Sequence, residues 1–179
     1  GSVIRNMIYD LYLEDKKMRD TLLAGKKRLS NSDKQTLNET SPLQKLQNNL
    51  RSTFFSQLEI EPFSEDFHTV LKIYERKLIQ DDGELIVLPK SKYTPRDIIT
   101  QGSGYLQWLS IFSILYSSNI DILLLDEPDA HLHASLQSEL LNQLRQAVEN
   151  DQEKQILVST HSVEMIKQAP LEIIFSMDT

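Results

Sequence analysis

The stretch from Asn119 to His133 reads N-I-D-I-L-L-L-D-E-P-D-A-H-L-H. Its apolar run, Ile120 to Leu125 broken only by Asp121, has the length of a strand buried on both faces of a parallel sheet. The run ends in adjacent carboxylates, Asp126 and Glu127, followed by Pro128, which cannot continue a central strand. Open α/β sheets hold their ligand chemistry at the C-terminal tips of such strands. The fold class expected from this stretch is therefore α/β.

Working outward, residues after His133 predict a helix to about Asn150, with Leu136, Leu140, Leu144 and Val148 as a four-residue stripe. A second strand begins near Lys154, runs through Q-I-L-V-S-T and ends at Thr160-His161-Ser162. Strand, helix, strand in that order is the βαβ crossover, which brings the tip carrying His161 beside the tip carrying Glu127. A further short strand is expected from Ile173 to Ser176.

Upstream, residues 100–104 read T-Q-G-S-G and lead into an apolar helix from about Tyr105 to Tyr116. A glycine-rich turn feeding a helix N-terminus suits an anion, because the first N–H groups lack partners and the helix dipole favours negative charge. Trp108 in that helix reads as core.

These motifs together resemble the ABC-type ATPases, most closely the branch of OLD-type and RecF-like AAA ATPases of DNA repair and phage defence. By this resemblance D-E-P-D-A-H-L-H is the Walker B strand end with the D-loop, and G-S-G stands where the signature motif lies. The resemblance implies that Asp126 holds Mg²⁺, Glu127 polarises the attacking water and His161 senses the γ-phosphate of ATP. It implies that Gly102, Ser103 and Gly104 touch ATP held by an opposite subunit. Asp129 and His131, within the segment to His133, belong by the same resemblance to the D-loop and the nucleotide-binding set. Mg²⁺ prefers carboxylate and phosphate oxygens, and phosphoryl transfer relies on positioning and charge neutralisation. The implied partners are a second copy in a head-to-tail dimer or the P-loop half of the same protein, with DNA as a further partner.

The P-loop pattern G-x-x-x-x-G-K-[ST] is absent from the sequence. Gly25-Lys26-Lys27 fails it, having Asp20 where the first glycine belongs and lysine where a hydroxyl is needed. The expectation is thus the C-terminal half of an ATPase domain over residues 64–179, a partial P-loop NTPase lobe, inactive alone but an ATP hydrolase when complete. Gly1-Ser2 reads as an expression scar, and the chain looks cut at its end.

Residues 3–63 predict a helical hairpin or arm. A helix is expected from Ile4 to about Leu29, with Ile4, Ile8, Leu11, Met18, Leu22 and Leu29 on one register and Asp15 and Gly25 as defects. The polar stretch Ser30 to Thr40 has no packing periodicity and is expected to be a loop. Ser41-Pro42 is a helix start, with Leu43, Leu46, Leu50 and Phe54 as the following stripe. Lys16, Lys17, Arg19, Lys26, Lys27 and Arg28 read as a solvated helix face rather than a phosphate-binding surface. Phe67 to Tyr74 alternates like a strand, with a helix capped by Ser64 as the rival reading; Asp82-Gly83 predicts a hairpin turn into a strand to Leu88, and Pro89 to Pro95 a loop.

The 179 residues carry a formal charge of −7 and no cysteine, which argues against a surface basic throughout and excludes a disulfide framework. With no apolar run near ~20 residues and no signal-peptide pattern, a soluble, cytoplasmic protein without a membrane partner is expected. Three rival readings are weaker. A helicase-type ATPase gives the G-S-G turn no role. A metal hydrolase using Asp126, Asp129, His131, His133 and His161 lacks the i, i+4 histidine spacing. In a non-catalytic interaction module the helical hairpin would be the working surface.

Overall fold

The computed structural model describes all residues except Gly1, Glu65, Phe67, Gln152, Leu171, Glu172 and 175–179. It forms two compact units, residues 1–118 and 119–179.

The first unit opens with α1 (Ser2–Leu23), shorter than the expected helix to Leu29. The chain leaves the helix through two left-handed residues, Ala24 (φ 39°) and Gly25 (φ 82°), a conformation that glycine adopts without steric cost. The supposed defect Asp15 lies on the same buried face as Ile8 and Leu11 and is only 4 % exposed. Its carboxylate accepts from Ser41 Oγ at 2.7 Å, Gln44 Nε2 at 3.0 Å and Arg19 Nη2 at 3.1 Å. Burial of this carboxylate is tolerated because Ser41, Gln44 and Arg19 each supply it a donor.

The polar stretch expected as a loop is a helix, α2 (Asn31–Thr40). Local bonding overrides the missing stripe: Ser30 and Asp33 form a capping box, and only Leu37 is buried. Helix α3 (Pro42–Phe54) starts where Ser41-Pro42 predicts and buries Leu43, Leu46 and Leu50. So the expected two-helix hairpin contains three helices.

Strand β1 (Ser56–Ile60), not foreseen from the sequence, pairs antiparallel with β2 (Ile73–Asp81). The strand expected from Phe67 to Tyr74 therefore begins at Ile73, and Phe67 lies outside the described residues. Asp82 (φ 45°) and Gly83 (φ 87°) make the expected tight turn into β3 (Glu84–Val87). A short β4 (Arg96–Asp97) also pairs with β2. Helix α4 (Ser103–Leu115) completes this unit and packs against α1 and α3. Trp108 is fully buried as expected, its Nε1 donating to Asn49 Oδ1 at 2.6 Å and its ring 4.8 Å from that of Phe112.

The second unit is the predicted strand–helix–strand. β5 (Ile122–Asp126) pairs parallel with β6 (Gln155–Ser159), joined by α5 (Ala134–Asn150) and followed by α6 (Val163–Gln168). The α/β class with parallel strands holds. Leu123, Leu140, Leu144 and Met165 form the core of this unit. β5 was expected to be buried on both faces. Instead Leu123 is buried while Ile122 and Leu124, on the opposite face of the strand, are 60 % and 72 % exposed. The strand expected from Ile173 to Ser176 lies partly outside the described residues, and Ile173 itself sits in a turn bonded to Pro170.

Candidate functional site

The parallel register sets Asp126 directly beside Ser159, at the C-terminal ends of β5 and β6. Ser159 Oγ donates to Asp126 Oδ1, and Glu127 N donates to the Ser159 carbonyl at 2.9 Å. Pro128 then stops the strand, and the chain turns in one residue. Glu127 makes that turn in the left-handed region, φ 43°, which costs a non-glycine residue about 1–2 kcal/mol. The turn carries its carboxylate toward the end of β6, where His161 Nε2 lies 3.3 Å from Glu127 Oε1. Both side chains face solvent, His161 almost fully. A left-handed carboxylate residue at a strand tip, beside an imidazole, is the kind of backbone outlier that motivates a functional reading.

The segment after Glu127 is held in place from below. Ala130 N donates to Glu127 O at 3.2 Å and Leu132 N to Asp129 O at 2.9 Å. Asp129 is buried, its Oδ1 accepting from Thr160 Oγ1 at 2.6 Å. Gln137 on α5 donates to Leu132 O at 2.9 Å and accepts from Ser162 Oγ at 2.8 Å. Asp129 is therefore enclosed, whereas Asp126, Glu127, His131 and His133 are exposed. Among the described residues the side chains of His131 and His133 make no hydrogen bond, while the His133 carbonyl accepts from Leu136 N at 2.8 Å and Gln137 N at 3.0 Å.

The sequence reading missed Ser159, Thr160, Ser162 and Gln137. Ser159 and Thr160 could have been found by counting parallel register back from His161. Gln137, one turn into a helix of buried leucines, carries no such signal.

Asp126 offers hard oxygen donors of the kind Mg²⁺ takes, one carboxylate beside a hydroxyl, with room for the water and phosphate oxygens that Mg²⁺ retains. The residues fit that ion. Among the described residues no three His, Cys, Asp or Glu groups converge on a point that could hold a metal, which leaves the hydrolase alternative without a ligand set.

In the first unit, Gly102 is the N-cap of α4 and brings no side chain to its end. Ser103 and Gly104 occupy the first turn, whose N–H groups have no intrahelical acceptor. A Cβ on Gly102 would meet nothing within 4 Å, so nothing inside this unit accounts for a glycine there.

A parallel strand pair joined by a helix, with carboxylates and an imidazole at its C-terminal ends, defines a protein of the α/β class. The family model described as AAA ATPase domain matches residues 3–166, and the chain belongs to that family. Comparison with curated proteins gives no match. One solved structure, from work on ATP-driven dimerization and DNA-stimulated activation of SMC ATPases, is similar over 76 % of this chain and 78 % of that one. Its identity to this chain is 13 % and its TM-score 0.49. No described helix is long and apolar enough to cross a membrane.

Proposed function

We infer that these residues form the signature, Walker B and switch-histidine part of an ATP-hydrolysing, ABC-type ATPase of the OLD- or RecF-like branch. The observation that carries this reading is the strand tip at which Glu127 turns left-handed beside His161, one residue after Asp126.

On this reading residues 64–179 are the C-terminal half of the ATPase domain and residues 3–63 a helical arm. Asp126 holds Mg²⁺, which when bound neutralises charge on the phosphates. Glu127 accepts a hydrogen bond from the attacking water and turns its lone pair toward the γ-phosphorus, while His161 senses the γ-phosphate. Thr160 and Gln137 hold Asp129 and the backbone to Leu132, and this fixed segment presents His131 to the nucleotide and the partner. Gly102, Ser103 and Gly104 direct the N-terminus of α4 to the γ-phosphate of ATP on the opposite subunit. The pattern G-x-x-x-x-G-K-[ST] does not occur in these residues, so the phosphate-cradling loop is supplied by other residues of the longer chain or by a second chain. The setting is the cytoplasm, in DNA repair or anti-phage defence, with DNA as a partner.

The test is complementation in the protein that includes the loop. Ser103→Arg and Glu127→Gln should each abolish turnover. Their mixture should regain part of it, because one composite site of the mixed dimer keeps both intact residues. A mixture as inactive as its components would overturn the head-to-tail arrangement.

A further inference from the structure

The antiparallel sheet of the first unit has two outer edges, and they are treated differently. On β1, Leu58 directs its backbone away from β2. The Gln47 side chain occupies that position as a strand would, with Nε2 donating to Leu58 O at 2.9 Å and Oε1 accepting from Leu58 N at 2.9 Å. Gln47 is only 9 % exposed, so this edge is closed to a further strand.

The β3 edge has no such cover. Leu88 N donates to Lys77 O at 2.9 Å, which fixes the phase of the β2–β3 ladder. Glu84, Ile86 and Leu88 therefore direct their backbone groups to β2, and Leu85 and Val87 direct theirs outward. Among the described residues nothing bonds to those outward groups. The side chains there are apolar: Leu85, Ile86 and Val87 are 40 %, 38 % and 38 % exposed, with Ile79 beside Ile86 also at 38 %. Proteins normally protect such an edge with charge, proline or a covering element. Neither charge nor proline interrupts Leu85–Val87.

We propose that β3 is a dimerisation edge, where a second copy of this chain adds its own β3 antiparallel about a two-fold axis at Ile86. The occupant follows from self-complementarity. In this register Leu85 faces Val87 of the second copy, and Val87 its Leu85, each pair exchanging both N–H···O bonds. Ile86 meets its own symmetry mate in the closer, non-hydrogen-bonded pair, where apolar contact contributes most. Charge agrees with this orientation. The turn carries Asp81, Asp82 and Glu84, and the chain beyond β3 carries Lys90 and Lys92. Antiparallel pairing brings the acidic turn of each copy toward the end of the other's β3, from which Lys90 and Lys92 follow, Lys90 lying also 3.5 Å from Glu59 of its own chain. Parallel pairing would set like charges side by side. The resulting interface is isologous, as a two-fold requires.

The test uses the 179-residue chain without nucleotide, so that association driven by ATP plays no part and failure of the ATPase reading leaves the outcome unaffected. Sedimentation equilibrium should show a concentration-dependent dimer, and amide exchange at Leu85 and Val87 should slow as the dimer forms. Ile86→Lys and Ile86→Glu, with unchanged circular dichroism, should each be monomeric, and an equimolar mixture should give a one-to-one heterodimer. Val87→Pro removes an outward N–H without touching the β2 ladder and should also be monomeric. A chain that stays monomeric at its highest attainable concentration would overturn the proposal. So would a dimer in which the Leu85 and Val87 amides exchange freely, or one that survives Ile86→Lys and Val87→Pro.

Discussion

Thr160 Oγ1 donates to Asp129 Oδ1 at 2.6 Å, which ties the turn after β5 to the end of β6. Since Asp129 is 8 % exposed, its carboxylate depends on that hydroxyl. Thr160→Val keeps the shape and removes the donor, leaving a buried carboxylate short of a partner, and should lower stability by ~1–3 kcal/mol. Urea denaturation measures it, and an unchanged midpoint would contradict the role given to Thr160.

Glu127 occupies left-handed backbone, φ 43°. Glycine there relieves ~1–2 kcal/mol of steric cost and loses roughly 0.5–1 kcal/mol through unfolded-state entropy. Glu127→Gly should therefore melt at the same temperature or slightly higher, while Glu127→Val should melt lower. The reverse order would mean that the turn is not strained as described.

Asp15 gathers Ser41, Gln44 and Arg19 in a buried cluster that joins α1 to the start of α3. Asp15→Ala strands those donors and should cost ~1.5–3 kcal/mol, the range for hydrogen bonds to a charged group. Asp15→Asn, which still accepts from Ser41, should cost less. Equal losses would show that volume rather than hydrogen bonding decides the site.

Burial raises the hydroxyl pKa of Tyr93 and Tyr116 from 10.0 to about 12, and for Tyr93 the hydrogen bond to Glu75 adds to it. Tyr105 is pushed higher still, chiefly by desolvation. Because the folded values are raised, their contribution to stability is complete below pH 10 and lost as pH rises through about 12. A phenolate absorbance titration should show a late component that shrinks in Tyr93→Phe and in Tyr116→Phe. Completion of the whole titration in the ordinary tyrosine range would contradict it.

The second unit was the more legible in the sequence, because its elements are set by strong local patterns. Ile120 to Leu125 ends in charge and proline, Leu136 to Val148 repeats every four residues, and Gln155 to Ser159 is a short apolar run. Those patterns also put Glu127 and His161 at neighbouring tips. What escaped depended on tertiary partners or on caps. Asp15 looked like a defect because its acceptor role is defined by Ser41 and Gln44, distant in sequence. Residues Asn31 to Thr40 lacked a stripe because the Ser30–Asp33 capping box, rather than packing, starts that helix. β1 was invisible because Gln47, from the preceding helix, satisfies the backbone group of Leu58 that another strand would take. The left-handed turn at Glu127 has no sequence signal, since glutamate is an unusual choice for it.

The most direct test of the ATPase account is paired measurement of ATP binding and hydrolysis by the protein that includes the phosphate-binding loop, with Glu127 and with Glu127→Gln. The amide keeps the size of the side chain but is a poor proton acceptor, so the account predicts retained Mg²⁺-dependent ATP binding and a loss of turnover of at least ~10²-fold. Turnover equal to that of the unmodified protein would contradict the account and remove Glu127 from the chemistry.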